Sequence, residues 1–109
     1  MKVALAVDGT HVAAHFGRCE KYMIAQVDDG AVTEQGTVAN PGHEPGYLPR
    51  MLNELGVDAI VAGGMGPRAQ VLFEHFGIQA IPGVSGPVAD VLAQLAAGEL
   101  KPGESTCEH

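Results

Sequence analysis

The segment DAIVAGGMGPR (residues 58–68) contains a complete transition from strand to helix, and this transition decides the fold class. Its first five residues, Asp58 followed by four apolar residues, are typical of a buried strand. Three glycines then form a turn, and Pro67 follows as a residue that is preferred at the first position of a helix. Because a strand that passes through a short turn into a helix is a unit of α/β proteins, we expect an α/β fold.

Downstream of this segment the pattern continues as helix, strand and helix. Apolar residues recur at helical spacing over residues 69–76, and Gly77 ends this helix. Residues 78–81 form a short apolar strand. Ser85 is then the expected N-cap of a last helix that Gly98 stops. The apolar face of that helix consists of Val88, Val91, Leu92 and Leu95.

Upstream of the segment three strands are expected. Residues 2–7 alternate large apolar side chains with smaller or charged ones, which indicates a strand buried on at least one face. A loop over residues 8–20 follows. The runs 21–28 and 31–39 flank Asp29-Gly30, a pair that favours a type I′ turn, so we expect these two strands to be antiparallel neighbours.

The leucine spacing in residues 48–55 predicts one further helix, which begins near Pro49 and ends at Gly56. The order of elements is then β-β-β-α-β-α-β-α, which implies an α/β fold with a mixed five-stranded sheet and helices on its faces. No internal repeat is present, and we expect a single domain over residues 1–98. Residues 99–109 have no core-forming pattern, so we expect a mobile tail.

The composition excludes several classes of partner. The chain has 109 residues, of which 46% are apolar and 17% are charged, as in globular proteins. Its net charge is −7 and it has only six Lys and Arg, so we expect no binding to nucleic acid. No apolar run approaches the roughly 20 residues that span a bilayer, and the opening MKVALAVDGT is too short an apolar run for a secretory signal. We therefore expect a cytoplasmic protein that binds no membrane.

The side chains that are able to ligate metals lie in three segments outside the predicted elements. Imidazole and thiolate groups suit soft or borderline metals such as zinc, copper and the iron of iron–sulfur species. Their spacing matches no closed zinc template, because no C-x2-C pair is present and the one H-x3-H pair lies in a loop. Solvated histidines and inert thiols remain an open alternative. A disulfide is disfavoured in a reducing compartment. The candidate ligands are His11, His15, Cys19, His43, Cys107 and His109.

The glycine turn (Gly63, Gly64, Met65 and Gly66) joins the carboxyl end of a strand to a helix N-terminus. Open α/β sheets bind anions at such places, because helix N–H groups point outward and glycines allow a close approach. Arg68 adds a positive charge, and Arg18 beside Gly17 supplies a second one. The turn matches neither a Walker motif nor G-x-G-x-x-G spacing. A plain connection from strand to helix is the open alternative.

Two enzymatic interpretations are weaker. Cys19 and His15 are able to form a thiolate–imidazole pair, and Arg18 would lower the pKa of the thiol. No residue is evident that would orient the histidine. A metal-dependent nuclease needs several acidic residues that converge on metal ions, and Asp8 alone is well placed for that. We therefore expect a protein that is not an enzyme.

Three motifs together resemble a known family. They are A-x-HFGR at residues 13–18, N-P-x-H at residues 40–43 and V-A-G-G-M-G-P at residues 61–67. The pattern is similar to the dinitrogenase iron–molybdenum cofactor biosynthesis family, whose members are small cluster carriers related to NifX and to the C-terminal part of NifB. The resemblance covers roughly residues 1–98. It implies a ribonuclease-H-like three-layer α/β/α fold without nuclease activity.

The resemblance also implies a function and a set of site residues. The expected cargo is an iron–sulfur or molybdenum-containing metal–sulfur cluster, carried or stored during metallocofactor assembly with cluster donor and acceptor proteins as partners. The implied pocket combines the loop 8–20, the His43 loop and the glycine turn at one end of the sheet. Cys19 stands where many relatives have a small residue. The implied cluster-binding residues are Phe16, Gly17, Arg18, Gly63, Gly64, Met65 and Gly66.

A binding module without a cluster is the remaining alternative. In that case the glycine turn would hold a small anionic metabolite or a partner protein at the helix N-terminus. The two hypotheses share the same turn and the same preference for negative charge. They differ in whether the ligand contains a metal.

Overall fold

The computed structural model describes residues 1–28, 30–42 and 47–98, which form a mixed α/β fold with a six-stranded sheet and three helices. The strands are β1 (Lys2–Asp8), β2 (His11–Val12), β3 (Lys21–Asp28), β4 (Ala31–Ala39), β5 (Ala59–Val61) and β6 (Gln79–Ile81). The helices are α1 (Tyr47–Glu54), α2 (Pro67–His75) and α3 (Val88–Ala96), and one turn of 3-10 helix covers Phe16–Arg18. None of the helices in these described ranges has the length and apolar content that crossing a membrane requires.

The sheet is mixed, as predicted. Its order is β4-β3-β1-β5-β6, with β2 paired to β1 outside this path. β3 is antiparallel to both β1 and β4, whereas β5 is parallel to β1 and β6 is parallel to β5. The expected antiparallel pairing of residues 21–28 with 31–39 is therefore confirmed. Asp29, the first residue of the predicted turn, lies outside the described residues.

The prediction of five strands is wrong, because the expected loop 8–20 contains a further strand. The chain reverses after β1 and pairs back onto it, with Val7 opposite Val12 and Asp8 opposite His11. A strand of two residues is too short to produce an alternating pattern, so periodicity does not reveal it. The same segment also contains the 3-10 turn Phe16–Arg18.

The predicted N-cap of the last helix is also wrong. Pro87 occupies the N-cap position of α3 in an extended conformation, two residues beyond Ser85. Gly86 has a φ of 108°, which lets the chain turn into the helix there. The Val88 N–H then donates to the Thr10 carbonyl at 2.9 Å, so the loop backbone replaces the expected side-chain cap.

The sheet separates two apolar clusters because successive side chains of a strand point to opposite faces. The alanines of β1 face α1 and α2, and large side chains such as Tyr22, Leu52 and Phe73 fill the space beside them. The larger residues of β1, including Leu5, face α3 and its Val91. Helices therefore cover both faces of the sheet.

Two valines on helices, one buried and one exposed, allow a test of how much burial stabilises the fold. Val91 on α3 is 1% exposed, whereas Val71 on α2 is 64% exposed. We expect Val91→Ala to lower the free energy of unfolding by about 2 kcal/mol, because it removes two buried methyl groups and leaves a cavity. The matched control Val71→Ala is expected to change it by less than about 0.5 kcal/mol. Urea unfolding of both variants measures the difference, and equal losses would contradict the assignment of α3 to the core.

Candidate functional site

The candidate site lies at the edge of the sheet where β1, β4, β5 and β6 have their carboxyl ends. β5 and β6 run parallel to β1, and β4 has the same direction because two antiparallel pairings connect it to β1 through β3. The chain enters α1, α2 and α3 from this edge. Three helix N-termini therefore gather at the carboxyl edge, which is where open α/β sheets bind anions.

At this edge the HFGR turn (residues 15–18) and its preceding alanines dock on the glycine turn through backbone hydrogen bonds. The Gly63 N–H donates to the Ala13 carbonyl at 2.8 Å. The Phe16 N–H donates to the Gly64 carbonyl, also at 2.8 Å. The structure thus brings together two of the three loops from which the pocket is predicted. The third loop carries His43, which lies outside the described residues.

Gly63 is required for this docking because the two backbones approach very closely. A Cβ atom at Gly63 would lie 3.0 Å from the carbonyl oxygens of Ala13 and Ala14 and 3.0 Å from the Ala14 Cα. All of these atoms belong to the backbone, so no side-chain rotation is able to relieve the contact. The glycine at this position therefore serves packing between two loops.

Phe16 anchors the HFGR turn in the core. Its ring is buried and packs against Tyr22 and Phe73, with centroid separations of 5.5 Å and 5.1 Å. Its carbonyl accepts a 2.7 Å hydrogen bond from the Tyr22 hydroxyl. Such a bond satisfies a buried phenol and fixes the direction of the peptide group. In this conformation the contacts of Phe16 with the core hold the HFGR turn in place.

The predicted metal ligands fall into three groups. His11 and His15 are exposed at the carboxyl edge, and the Nδ1 of His11 lies 3.1 Å from the Thr10 hydroxyl. Cys19 is only 4% exposed and belongs to the apolar cluster beneath α1 and α2. The remaining candidates lie outside the described residues, and these are His43, Cys107 and His109.

The predicted cluster-binding residues also divide between surface and core. Arg18 is exposed, and Gly17 and Gly66 are partly exposed. The backbone of Gly64 is buried by the docked turn. Met65 is completely buried in the same apolar cluster as Cys19. In this conformation the turns present the Arg18 side chain and backbone groups, whereas the two sulfur-containing side chains lie inside.

Burial changes the chemistry of Cys19. Desolvation raises the pKa of the Cys19 thiol above its ordinary value, and this effect outweighs the hydrogen bond with the Tyr22 hydroxyl, which acts in the opposite direction. Burial likewise raises the pKa of Tyr22. A buried thiol with a raised pKa holds its proton at neutral pH, whereas metal ligation and nucleophilic attack both need the thiolate.

Within the described ranges, no group of three or more His, Cys, Asp or Glu side chains is arranged to hold a metal ion. The site instead has features that attract a negatively charged ligand. The N-cap of α2 is Gly66, which provides no side-chain cap, and Pro67 follows it. The first N–H groups of α2 are thus not covered by an N-cap side chain, and such groups together with the helix dipole attract anions.

The charged side chains are distributed unequally between the two edges of the sheet. Arg18 lies at the carboxyl edge together with Lys21, and Arg50 and Arg68 lie in the first turns of α1 and α2. Neither ion pair found among the described residues involves an arginine. The opposite edge carries mostly acidic groups, namely Asp28, Glu54, Asp58 and Glu74. The carboxyl edge also carries the acidic groups Asp8, Glu20 and Asp90, so its four cationic side chains among the described residues stand against three carboxylates. It is the less acidic end of an acidic chain.

Several supporting residues at the site were not singled out by sequence reasoning. The Gln70 side chain donates to the Met65 carbonyl at 2.9 Å and holds the glycine turn. The Asn40 side chain donates to the carbonyls of Gly17 and Cys19. Asn40 belongs to the N-P-x-H motif, which was the one available signal. That motif by itself indicates a possible ligand at His43 and does not reveal the bonds of Asn40.

Comparison with known proteins identifies the family. The sequence model of the family described as "Dinitrogenase iron-molybdenum cofactor" matches residues 1–98 of the chain. The chain belongs to this family. The resemblance drawn from the HFGR, N-P-x-H and glycine-turn motifs is thereby confirmed.

Relatives of this family member cover nearly its whole length. An uncharacterized protein of Methanocaldococcus jannaschii, MJ0580, is 29% identical over 106 residues, which are 93% of this chain and 90% of that protein. The crystal structure of PH0822 has a TM-score of 0.85 at 29% identity, covering 94% of this chain and 96% of the other. The apo form of the orange protein from Desulfovibrio gigas has a TM-score of 0.76 at 20% identity, covering 95% and 93%. This last similarity concerns the fold alone.

Substitution of Gly63 tests the docking of the two turns in this family member. Gly63→Ala forces the backbones apart, and we expect it to lower the free energy of unfolding by about 1–3 kcal/mol. We also expect faster hydrogen exchange of the Phe16 amide, because its bond to Gly64 is lost. Gly9→Ala is the control, since a Cβ at Gly9 meets no atom and only its φ of 61° is strained. Equal exchange at Phe16 in both variants would contradict the docking role.

Alkylation tests the burial of Cys19. With Cys107→Ser in place, Cys19 is the only thiol of the chain. We expect iodoacetamide to modify it on the order of a hundredfold more slowly at pH 8 than after unfolding in guanidinium, because modification requires local opening and a thiolate. Mass spectrometry over time measures both rates. Fast modification of the folded protein would contradict the buried position and would favour the cysteine-dependent enzyme.

Proposed function

We propose that this family member is a small, non-enzymatic carrier or scaffold for an iron–sulfur or molybdenum-containing metal–sulfur cluster. It would hold the cluster in the cytoplasm during metallocofactor assembly or storage, between donor and acceptor proteins. Family membership supports this proposal. The observation that carries it is the docking of the HFGR turn on the glycine turn, which brings the exposed His15 and Arg18 to the segment that leads into α2.

The carbonyl oxygens around the HFGR turn are largely used within the protein. An oxygen that accepts a bond within the protein is less available to face a ligand. Metal–sulfide clusters are usually anionic, so backbone oxygens that are already bonded within the protein oppose them less. The oxygens that accept a hydrogen bond are those of Ala13, His15, Phe16, Gly17, Cys19 and Glu20.

The charge distribution supports the same class of cargo. The chain as a whole carries a net charge of −7, which would repel an anion from most of its surface. The arginines and helix N-termini of the carboxyl edge form a local exception. An anionic cluster would therefore be directed to this edge.

Individual roles follow from exposure. We assign the His15 imidazole to an exposed metal atom of the cluster, and the Arg18 guanidinium to its negatively charged sulfide or oxo atoms. The N–H groups of the glycine turn and of α2 would contact the same cargo. His11, also exposed at this edge, is a further candidate ligand. The buried Cys19 and Met65 would support the turns unless the loop rearranged.

Ligands from outside the described residues complete the proposal. His43 is the last residue of the N-P-x-H motif, whose Asn40 directly follows β4. Cys107 and His109 supply a further thiol and imidazole. We assign all three as candidate ligands on chemistry alone, because thiolate and imidazole suit iron and molybdenum–sulfur species.

We also infer that the fold is of the ribonuclease-H-like three-layer α/β/α type. The sheet has a central β1 flanked by an antiparallel hairpin on one side and by two parallel strands on the other. Helices cover both of its faces. These two features support the inference.

Anaerobic reconstitution tests the proposed function. The protein is incubated with iron, sulfide and molybdate, freed from excess reagents by gel filtration, and examined by absorption spectroscopy and metal analysis. We expect bound metal and a visible absorption band. The double variant His15→Gln/Arg18→Gln is expected to retain the cluster about tenfold less well, because it loses a ligand and a charge-assisted contact.

Matched controls at the opposite edge separate local from general effects. His75→Gln and Lys2→Gln remove the same types of side chain away from the site and are expected to keep wild-type metal content. A colourless wild-type protein without metal would overturn the cluster proposal. Thermal stabilisation by phosphate or nucleotide in the absence of metal would then favour the anionic-metabolite alternative.

A further inference from the structure

Asn40 connects the end of β4 to the HFGR turn through its backbone and its side chain. Its N–H donates to the Glu20 carbonyl at 3.1 Å. Its Nδ2 donates to the Cys19 carbonyl at 2.8 Å and to the Gly17 carbonyl at 3.3 Å. Its Oδ1 accepts the Gly42 N–H at 3.0 Å, which closes an Asx turn over Pro41. The half-buried side-chain amide of Asn40 thus forms hydrogen bonds through both its nitrogen and its oxygen.

The three side-chain contacts agree on the orientation of the Asn40 amide. Carbonyl oxygens require the nitrogen on one side, and the Gly42 N–H requires the oxygen on the other. No other common side chain offers this combination at the same length. Aspartate has no hydrogen to donate, serine has one, and glutamine is longer than an Asx turn accepts.

The two carbonyls that Asn40 holds lie on either side of Arg18. Both of their oxygens are directed to the Asn40 amide nitrogen. Without that amide, both oxygens would lack a partner and would turn toward water. They would then place negative dipole ends beside the exposed Arg18 side chain.

We propose that Asn40 is a positioning residue for the anionic cargo. By holding the carbonyls of Gly17 and Cys19 inward, its amide keeps the outer face of the HFGR turn free of these oxygens and keeps Arg18 directed to the cargo. This role rests on the proposed function, since it assumes an anionic cluster at the carboxyl edge. The conformation of the turn itself is testable without any cargo.

The isosteric variant Asn40→Asp provides the sharpest test. It keeps the acceptor of the Asx turn and removes both donated hydrogen bonds. We expect hydrogen exchange of the Gly17, Arg18 and Cys19 amides to become about tenfold faster, because two half-buried bonds are lost. Exchange of the β1 amides is expected to stay unchanged. NMR-detected exchange of the metal-free protein measures this effect.

Metal retention provides the second readout. After reconstitution with iron, sulfide and molybdate, iron bound per protein is followed during dialysis at a temperature where every variant is fully folded. We expect Asn40→Asp and the neutral variant Asn40→Ala both to release iron about tenfold faster than wild type. Asn53→Asp introduces the same charge at an exposed position near the end of α1 and is expected to behave as wild type.

Each result decides a separate part of the proposal. Wild-type exchange at the turn in Asn40→Asp would overturn the role of the amide. Faster exchange throughout the protein with unchanged iron release would indicate only a structural role and would overturn the cargo role. If Asn40→Ala released iron at the normal rate and Asn40→Asp released it fast, the added negative charge would explain the faster release. That result would also overturn the cargo role of Asn40. Absence of iron from wild type would refute the proposed function and the cargo role together, and exchange would still decide the conformation.

Discussion

The close approach of two backbones at Gly63 is the constraint on which the site depends. Because no Cβ is present there, the segment before the HFGR turn lies directly against the turn that leads into α2. Backbone hydrogen bonds then join the two, and Phe16 is drawn into the core where it contacts Tyr22 and Phe73. A single missing methyl group therefore links the packing of the core to the shape of the surface above it.

The electrostatic character of the edge is a product of topology more than of composition. An acidic chain gains an edge where three helix N-termini and several cations gather because β1, β4, β5 and β6 share a direction and each helix starts where a strand or its loop ends. Arginines in the first turns of α1 and α2 add to the helix dipoles, although a cation there is less favourable for the helix itself. This local cost is typical of groups that serve binding.

Sequence patterns predicted the regular parts of the fold well. β3 and β4 were predicted to the residue, because alternation on both sides of Asp29-Gly30 is a strong hairpin signal. β2 was missed since two residues carry no period. The start of α3 was misplaced because Val88 is satisfied by the distant Thr10 carbonyl, and sequence spacing does not contain such a contact.

For the site, prediction succeeded where motifs mark backbone geometry and was limited where side-chain direction matters. The glycine and HFGR motifs identified the segments that meet, because glycines and a helix N-terminus impose geometry by themselves. Spacing was unable to show that Cys19 and Met65 lie in the core while His15 and Arg18 lie at the surface. Buried residues in a loop do not recur at a regular spacing, so the sequence pattern does not predict which of them are buried.

The loops at the carboxyl edge, here called the frame, are held together mainly by hydrogen bonds between main-chain atoms. Ala13 is bonded to Gly63, Gly63 to Gly83, and Val12 to Gly86, all through main-chain atoms. The side chains at 14, 15 and 18 are exposed and take no part in these main-chain bonds. Evolution is thus able to change the chemical groups displayed to a ligand while the scaffold beneath them stays intact. One backbone arrangement therefore allows different side chains to be displayed at this edge.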